Sequence, residues 1–404
     1  MKKTGQIISF LVLLGIPLFP LPHGGSDPLY KGPIAGVATS VTAFVGYVGR
    51  GPIDKAVQVF SVEGFNREFG GLDPESVTSY AVYQYFVNGG REAWIVRTAT
   101  GAQDLVGNRV AKTGMYALED VSLFNILCIP AAAELTGNAP LTEEEAEFVT
   151  TAATAYCEER RAFLILDTPT GVDSVGEITD WVDHHLVRDE NVGLFFPRIR
   201  IRDPLNTSHP KSVGACGTIA GLFARMDAKY GVWKAPAGSD ATLDNVVDCE
   251  YALTDYENEL LNSLGVNCLR SLPVSGNVCW GARTLVGNDA VASEWKYIPV
   301  RRTALFLEES ISRGLRWVVL EPNDKSLWDQ IRVRIGTFMH DFFLQGAFKG
   351  STPKEAYVVK CDSETTTETD RRSGTVNVVV GFAPLRPAEF VILSLHLAAK
   401  PSAP

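Results

Sequence analysis

Three short runs constrain this chain more than any others: FNILCIP (124–130), AFLILDTP (162–169) and NVGLFFPRIRI (191–201). The first two, and the start of the third, are apolar without alternation. A strand with one wet face alternates polar and apolar residues, so these strands must be buried on both faces. Amphipathic stretches of helical period separate them. LTEEEAEFVTTAATAYCEER (141–160) opens with Thr142 as N-cap and Glu143, Glu144 and Glu145 in its first turn, where the helix dipole favours carboxylates. SVGEITDWVDHHL (174–186) and SVGACGTIAGLFARMDAKYG (212–231) are the next two. Strand–helix alternation with two-faced strands implies an α/β fold around a parallel sheet.

The rest of the chain is less regular. A strand over Val41–Val48, helices over SVEGFNREFGG (61–71) and SVTSYAVYQYFVNGG (76–90), and a strand in EAWIVRTA (92–99) fill the first hundred residues. Toward the C-terminus, VRRTALFLEESISRGL (300–315) reads as a helix and RWVVLEP (316–322) as a strand. SLWDQIRVRIGTFMHDFFLQG (326–346) is the clearest helix. Leu327, Ile331, Ile335, Phe338 and Phe342 form one stripe, Ser326 with Asp329 suggests a capping box, and Gly346 stops it. TVNVVVGFA (375–383) and EFVILSLHL (389–397) are closing strands. The second is nearly uncharged; such a strand is either interior to its own sheet or adds to a neighbour's edge.

Charge and cysteine content narrow the function classes. The net charge of −10 opposes nucleic-acid binding, which requires a basic field. Seven scattered cysteines without a CxxC predict reduced core thiols and cytoplasmic assembly, with neither a metal site nor a cofactor site. MKKTGQIISFLVLLGIPLFPLP (1–22) has a basic start and an apolar stretch; a hydrophobic arm or misassigned start is preferred to a secretory signal, and no membrane insertion is expected.

A parallel sheet invites a search for chemistry at the carboxyl ends of its strands. Asp167 ends one strand, and His184 and His185 lie on the next helix, so a hydrolase using Asp167 with His184 or His185 is the enzymatic alternative. It lacks a nucleophile motif: there is no G-x-S-x-G. Neither GYVGRG (46–51) nor GACGTIAG (214–221) has phosphate-loop spacing, so the first is read as a turn and the second as helix packing. RIRIR places Arg198, Arg200 and Arg202 on alternate positions, a basic stripe suited to an acidic surface such as Glu143–Glu147 of another copy.

An ordered set of stretches resembles the contractile tail sheath family of phage tails and bacterial contractile injection systems. They include GVATSVTAFVG (36–46), EFGG (68–71), FVNGGREAWIVR (86–97), GVWKAPAG (231–238), LNSLGVNCLRSLP (261–273), WGARTL (280–285), YIPVRRTALFLEESISRGLRWVVLEPND (297–324), AYVVKCD (356–362) and PAEFVI (387–392). Where the family opens with a PGVYVEE-like strand, this chain reads DPLYKGPIAG (27–36). The resemblance implies a non-catalytic structural subunit that stacks as hexameric rings in a helical sheath around an inner tube protein. Baseplate and terminator or cap proteins are the further partners implied, within a virion or phage tail-like particle. It implies a leader or arm over 1–33, a sheath core over 34–100 joined by a sheath domain over 284–404, and a subtilisin-like middle domain over 101–283. It also implies an inter-subunit strand arm at Glu389, Phe390, Val391, Ile392, Leu393, Ser394 and Leu395. Arg198, Arg200, Arg202 and Lys234 are the expected inter-subunit charge contacts.

Overall fold

The computed structural model describes residues 31–137, 139–291, 293–385 and 391–399. The chain divides into two compact units, Ala38–Thr303 and a smaller one made of Met1–Val37 with Ala304–Pro404. Residues 1–30 of the leader, like Glu389 and Phe390 of the expected arm, lie outside the described residues.

The larger unit is built on an eight-stranded sheet of β1 (Thr42–Gly46), β2 (Ala56–Val59), β3 (Ala93–Arg97), β4 (Ile126–Cys128), β5 (Phe163–Asp167), β6 (Val192–Phe196), β10 (Val266–Leu272) and β11 (Gly276–Cys279). Their order is β11-β10-β6-β5-β4-β1-β3-β2. The six central strands are parallel, and the two outermost, β2 and β11, pair antiparallel. A small antiparallel sheet, ordered β8-β7-β9, carries β7 (Ile199–Ile201), β8 (Lys211–Val213) and β9 (Val246–Cys249).

Helices cover both faces of the large sheet, as its sequence requires. On one face, α3 (Ala102–Val106), α4 (Glu143–Arg160), α5 (Val175–His185) and α7 (Asp255–Ser263) close a core containing Ala43, Leu127, Leu164, Leu166 and Leu194. The intervening residues point the other way. There Phe44 meets Tyr85 of α2 (Val77–Val87), which follows α1 (Val62–Phe69) in the chain, and Phe163 and Phe195 meet Phe223 of α6 (Cys216–Tyr230). Thr142 caps α4 in a full capping box with Glu145.

α2 and α6 pack backbone to backbone. A Cβ on Gly217 would lie 2.0 Å from the Ala81 carbonyl oxygen, and one on Gly221 2.4 Å from that of Tyr85. The glycines of GACGTIAG are thus used for helix packing. α6 is further fixed by Asp227, buried with Arg302: Arg302 Nη1 and Nη2 donate to Asp227 Oδ1 and Oδ2 at 3.0 and 2.6 Å, and Thr39 Oγ1 donates to Oδ2 at 2.6 Å.

In the smaller unit, β12 (Tyr357–Lys360), β13 (Thr375–Phe382) and β14 (Val391–Ala398) form an antiparallel sheet with β13 central. The chain enters this unit within α8 (Ile298–Gly314), and α9 (Lys325–Leu344) follows. Leu327, Ile331, Ile335 and Phe338 are buried along α9, as their spacing predicts. Its N-cap is Asp324, whose side chain accepts from Leu327 N–H, rather than Ser326.

Two further expectations differ. RWVVLEP is not a strand: Arg316–Leu320 forms a 3-10 turn with Trp317 and Val318 buried and Val319 and Leu320 exposed. Residues 38–100 are not part of the unit that holds the C-terminal sheet, because β1 hydrogen-bonds β3 on one side and β4 on the other, inside the large sheet.

Replacing Gly217 by Ala should destabilise the larger unit by about 1–3 kcal/mol, since the added methyl meets backbone. Gly176, in α5 with nothing within 4 Å of an added Cβ, is the control. Its change to Ala should be neutral or gain up to about 1 kcal/mol. Urea unfolding midpoints of both variants measure the difference.

Candidate functional site

In open parallel sheets, ligands bind outside the carboxyl ends of the strands where the strand order reverses. Here that place is between β1 and β4, and it is filled. β4 runs directly into a buried 3-10 turn, Pro130–Ala133, which folds back over the strand ends. Thr170 N–H donates to the Ala133 carbonyl at 2.8 Å, and Thr170 Oγ1 accepts from Leu135 N–H at 2.8 Å. The cavity left beneath, lined by Ile129, Ala132, Asp167 and Trp181 among others, is about 10 Å³. That is room for about one water.

Asp167 sits at the end of β5 and does not meet a histidine. Its Oδ1 accepts from Cys216 N–H at 2.6 Å, at the start of α6, and Gly214 leaves room for the carboxylate. Burial pushes its carboxyl above the usual value, against the Cys216 hydrogen bond and the Arg198 charge. His184 Nδ1 lies 2.9 Å from the Asp180 carbonyl oxygen. His185 stacks on Trp181 at 4.5 Å, with Nε2 3.6 Å from Glu143 and Nδ1 3.9 Å from Glu147. The Asp–His pairing that a hydrolase needs is therefore absent among the described residues.

Arg198 occupies the position an active site would take. Only 5% exposed, it donates from Nη1 to the Thr168 carbonyl at 3.2 Å and from Nη2 to Glu134 Oε1 at 2.9 Å. Glu134, Thr168 and Arg198 follow β4, β5 and β6 in turn, so one guanidinium ties three consecutive loops. Its charge is spent inside the subunit, which corrects the expectation that it faces a neighbour. The sequence carries no signal for Glu134 as its partner, 64 positions away. Beside it lies an open cleft of about 380 Å³ lined by Val172, Asp173, Pro197, Arg198, Arg200, Glu250 and Tyr251, which offers no serine, cysteine, histidine or lysine.

The remaining stripe faces outward. Arg200 makes a bidentate pair with Asp248 at 2.6 and 2.7 Å across β7 and β9. Arg202 is exposed without an ion pair among the described residues. Lys234 follows α6 with Nζ 5.8 Å from the Tyr230 ring centre. All seven cysteines are buried and unpaired, and burial pushes Cys268 and Cys279 up to about 12. Among the described residues no cluster of three or more His, Cys, Asp or Glu could hold a metal, and no helix is long and apolar enough to cross a membrane.

What the fold leaves open is sheet edge. β14 pairs with β13 from Thr375↔Ala398 to Phe382↔Val391. Leu393, Leu395 and Leu397 are buried beside Val376, Val378 and Val380. The other edge of β14, and that of β12, are unpaired among the described residues. Of the expected arm, Val391, Ile392, Leu393, Ser394 and Leu395 thus lie in an edge strand folded onto the chain's own sheet.

Replacing Asp167 by Asn tests the structural assignment. A carboxyl whose folded-state pKa is raised supports the native state at acid pH and loses that support as pH rises from its unfolded value. The D167N variant should fold, keep the Cys216 hydrogen bond and lose less stability than the parent as pH rises above about 4. Urea midpoints between pH 4 and 8 measure this.

The models of the phage tail sheath protein central domain and C-terminal domain match residues 104–285 and 290–398. A putative prophage major tail sheath protein of Pseudomonas aeruginosa (strain UCBPP-PA14) is 27% identical over 251 residues, 60% of this chain and 59% of that protein. The helical sheath of the anti-feeding prophage in its contracted state is 26% identical, with a TM-score of 0.73 over 94% of this chain and 99% of that one. The contracted sheath of PVC, an extracellular contractile injection system, shares the fold at 23% identity and TM-score 0.72, over 94% and 98% of the two chains. The chain belongs to the phage tail sheath protein family.

Proposed function

We propose that copies of this chain polymerise into a contractile sheath of helically stacked hexameric rings around an inner tube, and that its shortening drives the tube through a target envelope. The observation that carries this reading is the likeness, over 94% of the chain, to a sheath subunit captured contracted at 26% identity. Baseplate and terminator or cap proteins are the partners at its ends; a matching subunit is also found in a baseplate complex of the anti-feeding prophage. Assembly takes place in the cytoplasm, and the product is part of a phage tail-like particle.

The subunit does no chemistry on this reading. Its middle domain, about 101–283, is subtilisin-like in descent, and the filled strand ends and buried Asp167 support a scaffold role. The C-terminal sheath domain, from about 284, carries the tether. β14 and a neighbour's N-terminal segment extend one sheet across subunits, so main-chain hydrogen bonds hold the copies while the bodies turn. The free edges of β12 and β14 support this. Arg200, Arg202 and Lys234 are outward charges available to neighbouring copies.

Purified full-length chain should form tubes or six-fold rings in electron micrographs. Removal of residues 388–404 should leave the larger unit folded, seen as an unchanged thermal transition, and abolish the tubes. Tubes of normal length from the truncated chain would refute the tether.

A further inference from the structure

Among the exposed aromatic residues of the larger unit, Tyr230 and Phe148 each have side chains of one charge sign beside them on their helix. Tyr230, 37% exposed, ends α6. The Nζ atoms of Lys229 and Lys234 lie 4.6 and 5.8 Å from its ring centre. Neither lysine makes an ion pair among the described residues. Gly231, in the left-handed region at φ 90°, turns the chain so that Lys234 returns toward the helix end, where Lys234 N–H donates to the Gly231 carbonyl at 3.1 Å. Phe148, 41% exposed, lies on α4. Glu144, one turn before it on the same side, makes no ion pair among the described residues; Glu147 beside it has only His185, at 3.9 Å.

The two patches lie on opposite faces of one sheet. α4 packs on the side of Leu164, and α6 on the side of Phe163, where Phe223 meets it. Adjacent residues of a strand point to opposite faces, so the patches cannot meet within one chain. Around this phenol, in a chain of net charge −10, Lys229 is exposed and Lys234 half-buried, and the Asp240 carboxylate acts on Lys229 without closing to an ion pair. We propose that the Lys229–Tyr230–Lys234 patch of one copy docks on the Glu144–Phe148–Glu147 patch of a second copy. The contact is heterologous: each subunit gives one patch to one neighbour and the other patch to the next. Such contacts generate rings or helices rather than closed dimers. The inference rests on the proposed sheath function for its partner, and it uses no residue of the terminal strands.

A charge exchange tests it. One variant carries Lys229→Glu and Lys234→Glu, the other Glu144→Lys and Glu147→Lys. Each should keep the parent's near-ultraviolet spectrum and melting temperature, since Lys229, Glu144 and Glu147 are exposed and Lys234 is half-buried at the surface, and each alone should lose the rapidly sedimenting assemblies. Mixed in equal amounts, the two should recover them, because reversed lysine patch then meets reversed glutamate patch. Zero-length carbodiimide coupling of the parent should also join Lys229 or Lys234 to Glu144 or Glu147 between isotopically distinct copies. Normal assembly of either variant alone, no recovery on mixing, or no such cross-link would overturn the contact. Loss of assembly on trimming 388–404 with no effect of charge reversal would leave the sheath reading intact and remove this inference alone.

Discussion

A parallel sheet whose strands are apolar on both faces has to be covered twice, and most of this structure follows from that requirement. α4 and α5 close one side, α2 and α6 the other. The second cover has to come close: glycines at 217 and 221 bring α6 against the carbonyls of α2. Once both faces are sealed, the only places left for chemistry in such a sheet are the strand ends. Those ends are occupied by the Pro130–Ala133 turn and by Arg198, which ties the loops after β4, β5 and β6. A buried ion pair of this kind is a poor source of net stability, yet removing one partner is costly. Its effect is to fix three loops in one arrangement.

An interior closed in this way leaves function to the periphery. Backbone groups along the outer edges of β12 and β14 are unpaired among the described residues. Natural proteins protect long edges because they invite pairing with other chains. Here β14 is eight residues long, apolar on its inner face and paired along one side only. On the proposed tether, that edge is an adhesive rather than a hazard. The bond does not depend on side-chain identity, so it tolerates the low sequence identities among sheath relatives of the same fold.

The sequence was most readable where one local pattern decided the outcome. β4, β5 and β6 follow from their unbroken apolar runs, and α9 from its stripe. It was least readable where a distant residue decided. RIRIR reads as an exposed basic stripe because arginines alternate with isoleucines. Ile199 and Ile201 are indeed buried, but Arg198 is turned inward by Glu134, a partner invisible at the level of periodicity. RWVVLEP is apolar enough for a strand, yet a 3-10 turn satisfies its backbone locally, burying Trp317 and Val318 and leaving Val319 and Leu320 facing solvent. That residues 38–100 lie in the larger unit was hidden for a related reason. Strand order is a tertiary property, and nothing local says that β1 lies between β3 and β4.

The two proposed kinds of contact differ in a way that suits an assembly with two states. A shared strand ladder is short-ranged and all-or-none: a rigid-body turn either keeps its hydrogen bonds or breaks them together. Charged patches on exposed aromatics are softer. They act over a Debye length of about 8 Å at physiological salt and can exchange partners as surfaces slide. A sheath that stays connected through ladders can afford to trade its lateral contacts during shortening. A sheath built only on lateral patches would come apart in the same motion. The proposed division of labour places strength at the C-terminal edge strand β14 and adjustability on the helices of the larger unit.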